Sequence, residues 1–294
     1  MNNIFLRILN GISWRLKKLW ELSLYLPELL SPKGHIWVMY GIPYRIKANY
    51  NWGDDVNKFL MERISGKKVI PYQCSISQRE HYLCIGSLLQ WNGDKNGIVW
   101  GTGLREALPV RPCKKFLAVR GPLTRNELLK QGYDCPEVYG DPALLFPRYY
   151  QPNISKKYKV GIIVHFSELD SSVLQEIRNN NDIHFIDIKH YCDYTNFIDE
   201  ICKCKYVLSS SLHGCIISDA YEVPNLWCRF TDYVAEGDGF KFRDYYASVG
   251  KEITHPTLIE KAADVENSID IIKKTWVKNN IDLDKLLDVC PFNK

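Results

Sequence analysis

Two stretches of this chain obey one rule. In "KFLAVRGPLTRNELLKQGY" a short apolar run ends at a glycine, an amphipathic stretch follows, and a second glycine stops it. In "KYVLSSSLHGCIISDAYEVP" the apolar run ends in three serines, and Ile216, Ile217, Ala220 and Tyr221 then recur at helical spacing. A strand that feeds a small-residue turn and then a helix cannot pair back with its neighbour as a hairpin. It needs a crossover, so the strands run parallel and helices cover the sheet. The same reading fits "HIWVMYG", "YLCIGSLL", "GIVWGTGL", "KVGIIVHF", "IHFIDI" and "NLWCRF" as strands. Helices are predicted over "NWGDDVNKFLMERISG", where Val56, Phe59, Leu60 and Ile64 form one face, and over residues 171–179, 196–204, 257–279 and 282–289. "PEVYGDPALLFP" reads as a short strand and a turn.

The alternation is interrupted once, by the polar, proline-bearing segment 147–158, and then restarts. The expected fold class is therefore α/β, with two domains, 34–150 and 151–294, facing each other across a cleft. A basic segment, 1–33, precedes them. There Phe5, Leu9, Ile12, Leu16, Leu19 and Trp20 recur at helical spacing among Arg7, Arg15, Lys17 and Lys18. Such an amphipathic helix either lies in a membrane interface or packs on the first domain. Its apolar runs are too short to span a bilayer and lack a signal-peptide pattern.

Composition narrows the partners. A 294-residue chain with 46% apolar and 24% charged residues has the material for a large core. A net charge of +4 argues against nonspecific nucleic-acid binding. The ten cysteines are scattered without a CxxC pair, which points to reduced buried thiols in a cytoplasmic protein and to no metal site.

Open α/β sheets bind ligands where strands end and helices begin. Ser209, Ser210, Ser211, His213 and Gly214 occupy such a point. Helix N–H groups and serine hydroxyls there favour an anion, and Gly214 permits close approach. A bound anion would raise the pKa of His213 and make it a proton donor. Arg120 in "VRGP" occupies the matching point of the first domain and can fork two bonds to a carboxylate or phosphate. It precedes a Thr124/Glu127 pair at capping-box spacing. Lys241 follows an "EGDG" turn and is placed either to close over a ligand or to sit in solvent. Asn51 and Asp54 in "NWGDD" stand at the mouth of the first domain. Asp54 either caps a helix, a role open also to Asp55, or takes a proton from a sugar hydroxyl. His165 ends the strand "KVGIIVHF", and Asp187 ends "IHFIDI", where it serves as ligand contact or turn former.

Taken in order, "NWGDD", "GTG", "VRGPLT" with "LLKQGY", "GDPALLFP", "VGIIVHF", "SSSLHG…SDAYEVP", "KFRDYY" and "LLDVCPF" resemble the polysaccharide pyruvyltransferase family, from about Asn51 to Phe292. The usual glycine-rich opening is replaced here by "YGIPYRIKANYNWGDD". The resemblance implies that the two domains are Rossmann-like and face each other across the cleft in a glycosyltransferase-B-like arrangement. It also implies transfer of pyruvate from phosphoenolpyruvate to a sugar as a ketal, with release of phosphate and with no cofactor or metal. The family's donor-binding arginine, histidine and basic residue fall on Arg120, His213 and Lys241. His213 is then the expected acid and Asp54 the base, with His165 as the alternative base. A lipid-linked saccharide acceptor would place the enzyme at the inner face of the cytoplasmic membrane. Two rival readings are a sugar-nucleotide glycosyltransferase, in which Glu222 binds a ribose and His213 a diphosphate, and a noncatalytic carbohydrate-binding assembly protein.

Overall fold

The computed structural model describes residues 2–40, 51–231 and 239–292, and within the first helix the side chains from Ser13 onward. Segment 41–50, most of the unusual opening, and all of the "EGDG" turn but Gly239 lie outside the described residues.

The chain begins with helices α1 (Asn2–Ser23) and α2 (Leu26–Leu29). The first α/β unit follows: β1 (His35–Met39), α3 (Trp52–Ser65), β2 (Lys68–Pro71), β3 (His81–Leu83), α4 (Leu89–Asn92), β4 (Gly97–Trp100), β5 (Lys115–Ala118) and α5 (Pro122–Lys130). A 3-10 helix, Pro142–Arg148, closes it. The second unit comprises β6 (Tyr158–Ile163), α6 (Ser172–Ile177), β7 (Ile183–Phe185), α7 (Tyr194–Cys202), β8 (Cys204–Ser209), α8 (Leu212–Ala220), β9 (Asn225–Arg229), α9 (Phe240–Ser248), β10 (Thr257–Leu258), α10 (Ala263–Thr275) and α11 (Leu283–Asp288).

Each unit contains a five-stranded parallel sheet, β2-β1-β3-β4-β5 and β7-β6-β8-β9-β10. The two orders are equivalent: the first strand of each unit lies inside, and the direction of winding reverses between β1 and β3, and again between β6 and β8. A crevice opens at the carboxyl ends of the strands at such reversals. At the second one the strand ends are laced together, because Ser210 N–H donates to the Ile163 carbonyl at 3.0 Å and His165 N–H donates to Ser210 Oγ at 2.8 Å.

The β6 and β8 runs read as near-continuous apolar sequence because these central strands are covered on both faces; Ile162, Ile163, Val207 and Leu208 are fully buried. The predicted face of α3 is buried at Val56, Leu60 and Ile64. One core runs through both units. Trp52 on α3 stacks obliquely on Phe197 of α7 at 4.8 Å, and its indole N–H donates to the Tyr194 carbonyl at 2.8 Å.

Three local expectations are corrected. Residues 257–258 form an edge strand on β9 rather than the start of a helix, which begins at Ala263. Pro147 belongs to the 3-10 helix, so the connection between units is shorter than 147–158. "PEVYGDPALLFP" forms only an isolated bridge, Val119 to Tyr139, before that helix.

Candidate active site

A cavity of about 330 Å³ lies between the two units. From the first unit Asn51, Asp54, Gly86, Ser87, Leu88, Trp91 and Arg105 line it. From the second come His165, Phe166, Ile188, Lys189, Ser211, Leu212, His213 and Lys241. The structure thus brings together six of the residues picked from sequence: Asn51, Asp54, His165, Ser211, His213 and Lys241.

The serines divide the labour. Ser209 Oγ donates to the Ser211 carbonyl at 2.8 Å and accepts from Ser211 N–H at 3.1 Å, which folds the strand end into a tight turn. Ser210 Oγ holds His165. Ser209 and Ser210 therefore shape the turn, and only Ser211 lines the cavity. Gly214 is needed for the same turn, since a Cβ there would lie 2.2 Å from Ser209 Oγ.

His213 is the second residue of α8, and its ring lies against the start of α3. A Cβ at Gly53 would meet Nδ1 at 2.0 Å, so only glycine admits the imidazole there. Its Nε2 is 4.0 Å from Oδ2 of Asp141, and neither atom has a hydrogen-bond partner among the described residues. The other Asp141 oxygen accepts from Ala143 N–H at 3.0 Å and caps the 3-10 helix. Burial, with the charges of Arg120 and Lys241, pushes His213 down to about 3. Burial pushes Asp141 up to about 6, against the pull of the Ala143 N–H and Arg120. Burial and the two cations favour the neutral imidazole, and negative charge placed beside it would favour the protonated one.

At the facing wall Asn51, not Asp54 or Asp55, caps α3, its side chain accepting from Gly53 N–H at 3.3 Å. Asn51 Nδ2 also donates to Asp54 Oδ2 at 3.2 Å. Asp54 is left facing the cavity, raised to about 6 by burial and by Asp55, while Asn51 and Lys241 oppose the rise. Lys241, in the first turn of α9, is lowered to about 7 by burial and by Arg105 and Arg120. His165 falls to about 4, chiefly through burial and Lys241, and its Nδ1 pairs with Ser167 Oγ at 2.7 Å.

Arg120 sits behind the cavity rather than on its wall. Its side chain has no exposure; Nε donates to Asp244 at 3.2 Å, Nη1 to Ser87 Oγ at 2.9 Å, and Nη2 to the Leu104 carbonyl. Asp244, on α9 of the second unit, also accepts from the backbone and hydroxyl of Thr124 at 2.8 and 2.7 Å. A carboxylate from across the interface thus caps α5, and the expected Thr124/Glu127 box is not formed; Glu127 pairs with Lys130 instead.

Arg105, Ser87, Lys189 and Asp141 were not identified from sequence. Asp141 alone carried a signal, the "GDP" tripeptide, which reads as a turn. Asp187 proves to be a turn former: it accepts from Lys189 N–H at 2.7 Å and pairs with His190. Glu222 lies just past the far end of α8 from His213, exposed and paired with Lys278 at 2.6 Å. Among the described residues no cluster of His, Cys, Asp and Glu could hold a metal ion.

A family model described as polysaccharide pyruvyl transferase matches residues 75–230, from just after β2 to the end of β9. The chain belongs to that family. The match takes in Arg105, Arg120, Asp141, His165, Ser211 and His213; Asn51, Asp54 and Lys241 lie outside it. A relative, an uncharacterized protein of Acanthamoeba polyphaga mimivirus, is 30% identical over 219 residues, covering 72% of this chain and 75% of that one. A functionally uncharacterized Klebsiella pneumoniae protein of known structure is 14% identical, with a TM-score of 0.47 over 83% of this chain and 98% of its own. Membership supports a transferase acting in polysaccharide synthesis on a saccharide acceptor.

Proposed function

We propose that the chain transfers pyruvate from phosphoenolpyruvate to a saccharide as a ketal and releases phosphate. The observation that carries this reading is the charge of the cavity: Arg105 and Asp54 of the first unit meet Lys189, Lys241 and the start of α8 from the second. Phosphoenolpyruvate brings a carboxylate and a phosphate, about three negative charges near neutral pH. The three cations, backed by Arg120 through Ser87, balance that load, and the N–H groups of the α8 N-terminus add to it. The paired Rossmann-like units suit a glycosyltransferase-B-like division, with donor held mainly by the second unit and acceptor by the first.

In this reading the donor's charge raises His213 from about 3, so that it is protonated in the complex and delivers its proton to C3 of the enol. A sugar hydroxyl oxygen bonds to C2 and gives its proton to Asp54, for which His165 is the alternative. Phosphate then leaves with the C2–O electron pair, and a second hydroxyl of the same sugar closes the ring and loses its proton. One hydroxyl proton replaces the one delivered to C3, and the other departs with phosphate. Holding both hydroxyls against one carbon offsets much of the entropy cost of ring closure. The acceptor proposed is a lipid-linked saccharide at the inner face of the cytoplasmic membrane.

The test is incubation of the purified protein with phosphoenolpyruvate and a panel of lipid-linked and synthetic saccharides, measuring phosphate release and the mass of the products. Addition of pyruvate to one acceptor, lost in His213→Ala, is expected. Saccharide binding without phosphate release would make the protein a noncatalytic binder. The glycosyltransferase reading loses its ribose contact, because Glu222 stands outside the cavity; a nucleoside diphosphate product would restore that reading.

A further inference from the structure

Helix α1 is seated the wrong way round for a helix that serves only to cover the domain. Its inward side carries Lys18, whose ammonium bonds Glu21 at 2.7 Å and the Gln73 carbonyl, and Leu22, which packs by Tyr25, Trp37, Ile70 and Cys74. Its apolar row points outward: Leu16, Leu19 and Trp20 are 62%, 50% and 57% exposed. The sequence continues the same three- and four-residue spacing back through Ile12, Leu9 and Phe5. A helix whose purpose is packing buries such a row, and an exposed one marks an interaction surface. Trp14, half exposed, lies outside this row, on the Lys18 side one turn earlier.

Charge identifies the partner. Arg7, Arg15, Lys17 and Lys18 precede the acidic residue Glu21, which pairs with Lys18 alone of the four among the described side chains. At about 100° per residue, exposed Arg15 and Lys17 fall on the two flanks of the Leu16–Leu19–Trp20 row. Apolar residues between two basic edges, with a tryptophan at one border, match the depth profile of a bilayer interface, where lysine and arginine reach up to headgroup phosphates. Two copies of the helix placed face to face would instead bring like charges together. No helix among the described residues is long and apolar enough to cross a membrane. We infer that the outward face of α1 docks the protein onto an anionic lipid surface, lying in the interface plane.

Vesicle co-sedimentation of the full chain, without donor or acceptor, tests this apart from the pyruvyl-transfer reading. The probes are vesicles of phosphatidylcholine alone and of phosphatidylcholine mixed with phosphatidylglycerol. The wild type should pellet with the mixed vesicles, less with the neutral ones, and less again in high salt. Leu16→Glu/Leu19→Glu should lower the partition at least about tenfold, and Arg15→Glu/Lys17→Glu should remove the preference for anionic lipid. Far-UV circular dichroism and the melting midpoint of each variant establish that it is folded. Equal pelleting of folded Leu16→Glu/Leu19→Glu, or no pelleting of the wild type, overturns the inference. So does a lipid-independent dimer that this variant dissociates, which would assign the face to a second copy of the chain.

Discussion

Asp54 and Lys241 hold pKa values of about 6 and about 7 within one cavity, each moved toward neutrality by burial. In the proposed reaction Asp54 must be ionised to accept a proton, which favours kcat/KM as pH rises to about 6. His213, at about 3 in the free enzyme, must gain a proton as the donor binds, which lowers kcat/KM at every pH above about 3. Lys241 must be charged to hold the donor, which adds a further loss above about 7. Together they hold kcat/KM level between about pH 3 and 6 and make it fall above, most steeply past about 7. Asp54→Asn should cut kcat by roughly 10²- to 10⁴-fold and replace the level stretch by a continuous fall, as read from phosphate release across a pH series. Asp141 is also raised to about 6, and its unpartnered oxygen faces His213 at 4.0 Å. A level stretch that survives Asp54→Asn and is lost in Asp141→Asn would give the controlling ionisation to the Asp141–His213 pair.

At the scale of elements, α5 and α9 are joined through a buried ion pair that also caps a helix. Arg120 and Asp244 have no exposed side-chain surface, and Asp244 satisfies both donors of Thr124. Asp244→Ala leaves a buried guanidinium unpaired and α5 uncapped, and should cost about 3–5 kcal/mol of unfolding free energy by denaturant titration. Arg120→Met/Asp244→Leu removes both charges and should recover most of that loss. Its kcat/KM separates two roles. A several-fold drop is expected if Arg120 acts through its field behind Ser87. A loss of about a thousandfold or more would mean that it binds the donor directly.

These elements also show what the sequence could and could not disclose. The strand–turn–helix units around Arg120 and His213 were legible because the signal is local: an apolar run, small residues, then helical spacing. His165 and Ser211 were found at strand ends by the same logic, Asn51 and Asp54 from the start of a helix, and Lys241 from a glycine turn and the family resemblance; all five line one cavity. Arg105 and Lys189 were missed because they lie in loops without periodicity, and only the docking of the two units brings them together. The cap on α5 was misassigned because capping rules assume a partner a few residues away, whereas Asp244 comes from the other unit. The edge strand Thr257–Leu258 is too short to have a period; its conformation is set by the free edge of β9.

Across the whole molecule the two sheets share one hydrophobic core. The C-terminal segment returns to the first unit: Phe292 meets Tyr82 at 5.1 Å and Trp100 at 5.5 Å, and the Trp100 indole donates to the Leu286 carbonyl at 2.8 Å. With Trp52 anchored in α7, each unit supplies part of the other's core. Opening either one exposes apolar surface of both, so calorimetry should record one cooperative transition whose van't Hoff and calorimetric enthalpies agree. Phe292 is 6% exposed. Phe292→Ala should therefore destabilise the whole chain by about 3–5 kcal/mol, moving the single transition to lower temperature without splitting it. If the variant instead showed two resolved transitions, with only the first-unit transition displaced, the units would be independently stable and their shared cavity would be held by contact alone. That distinction bears on the proposed catalysis, because a donor held as proposed, by Arg105 from one side and Lys241 from the other, can be gripped without closure only if the two walls are already fixed by a common core.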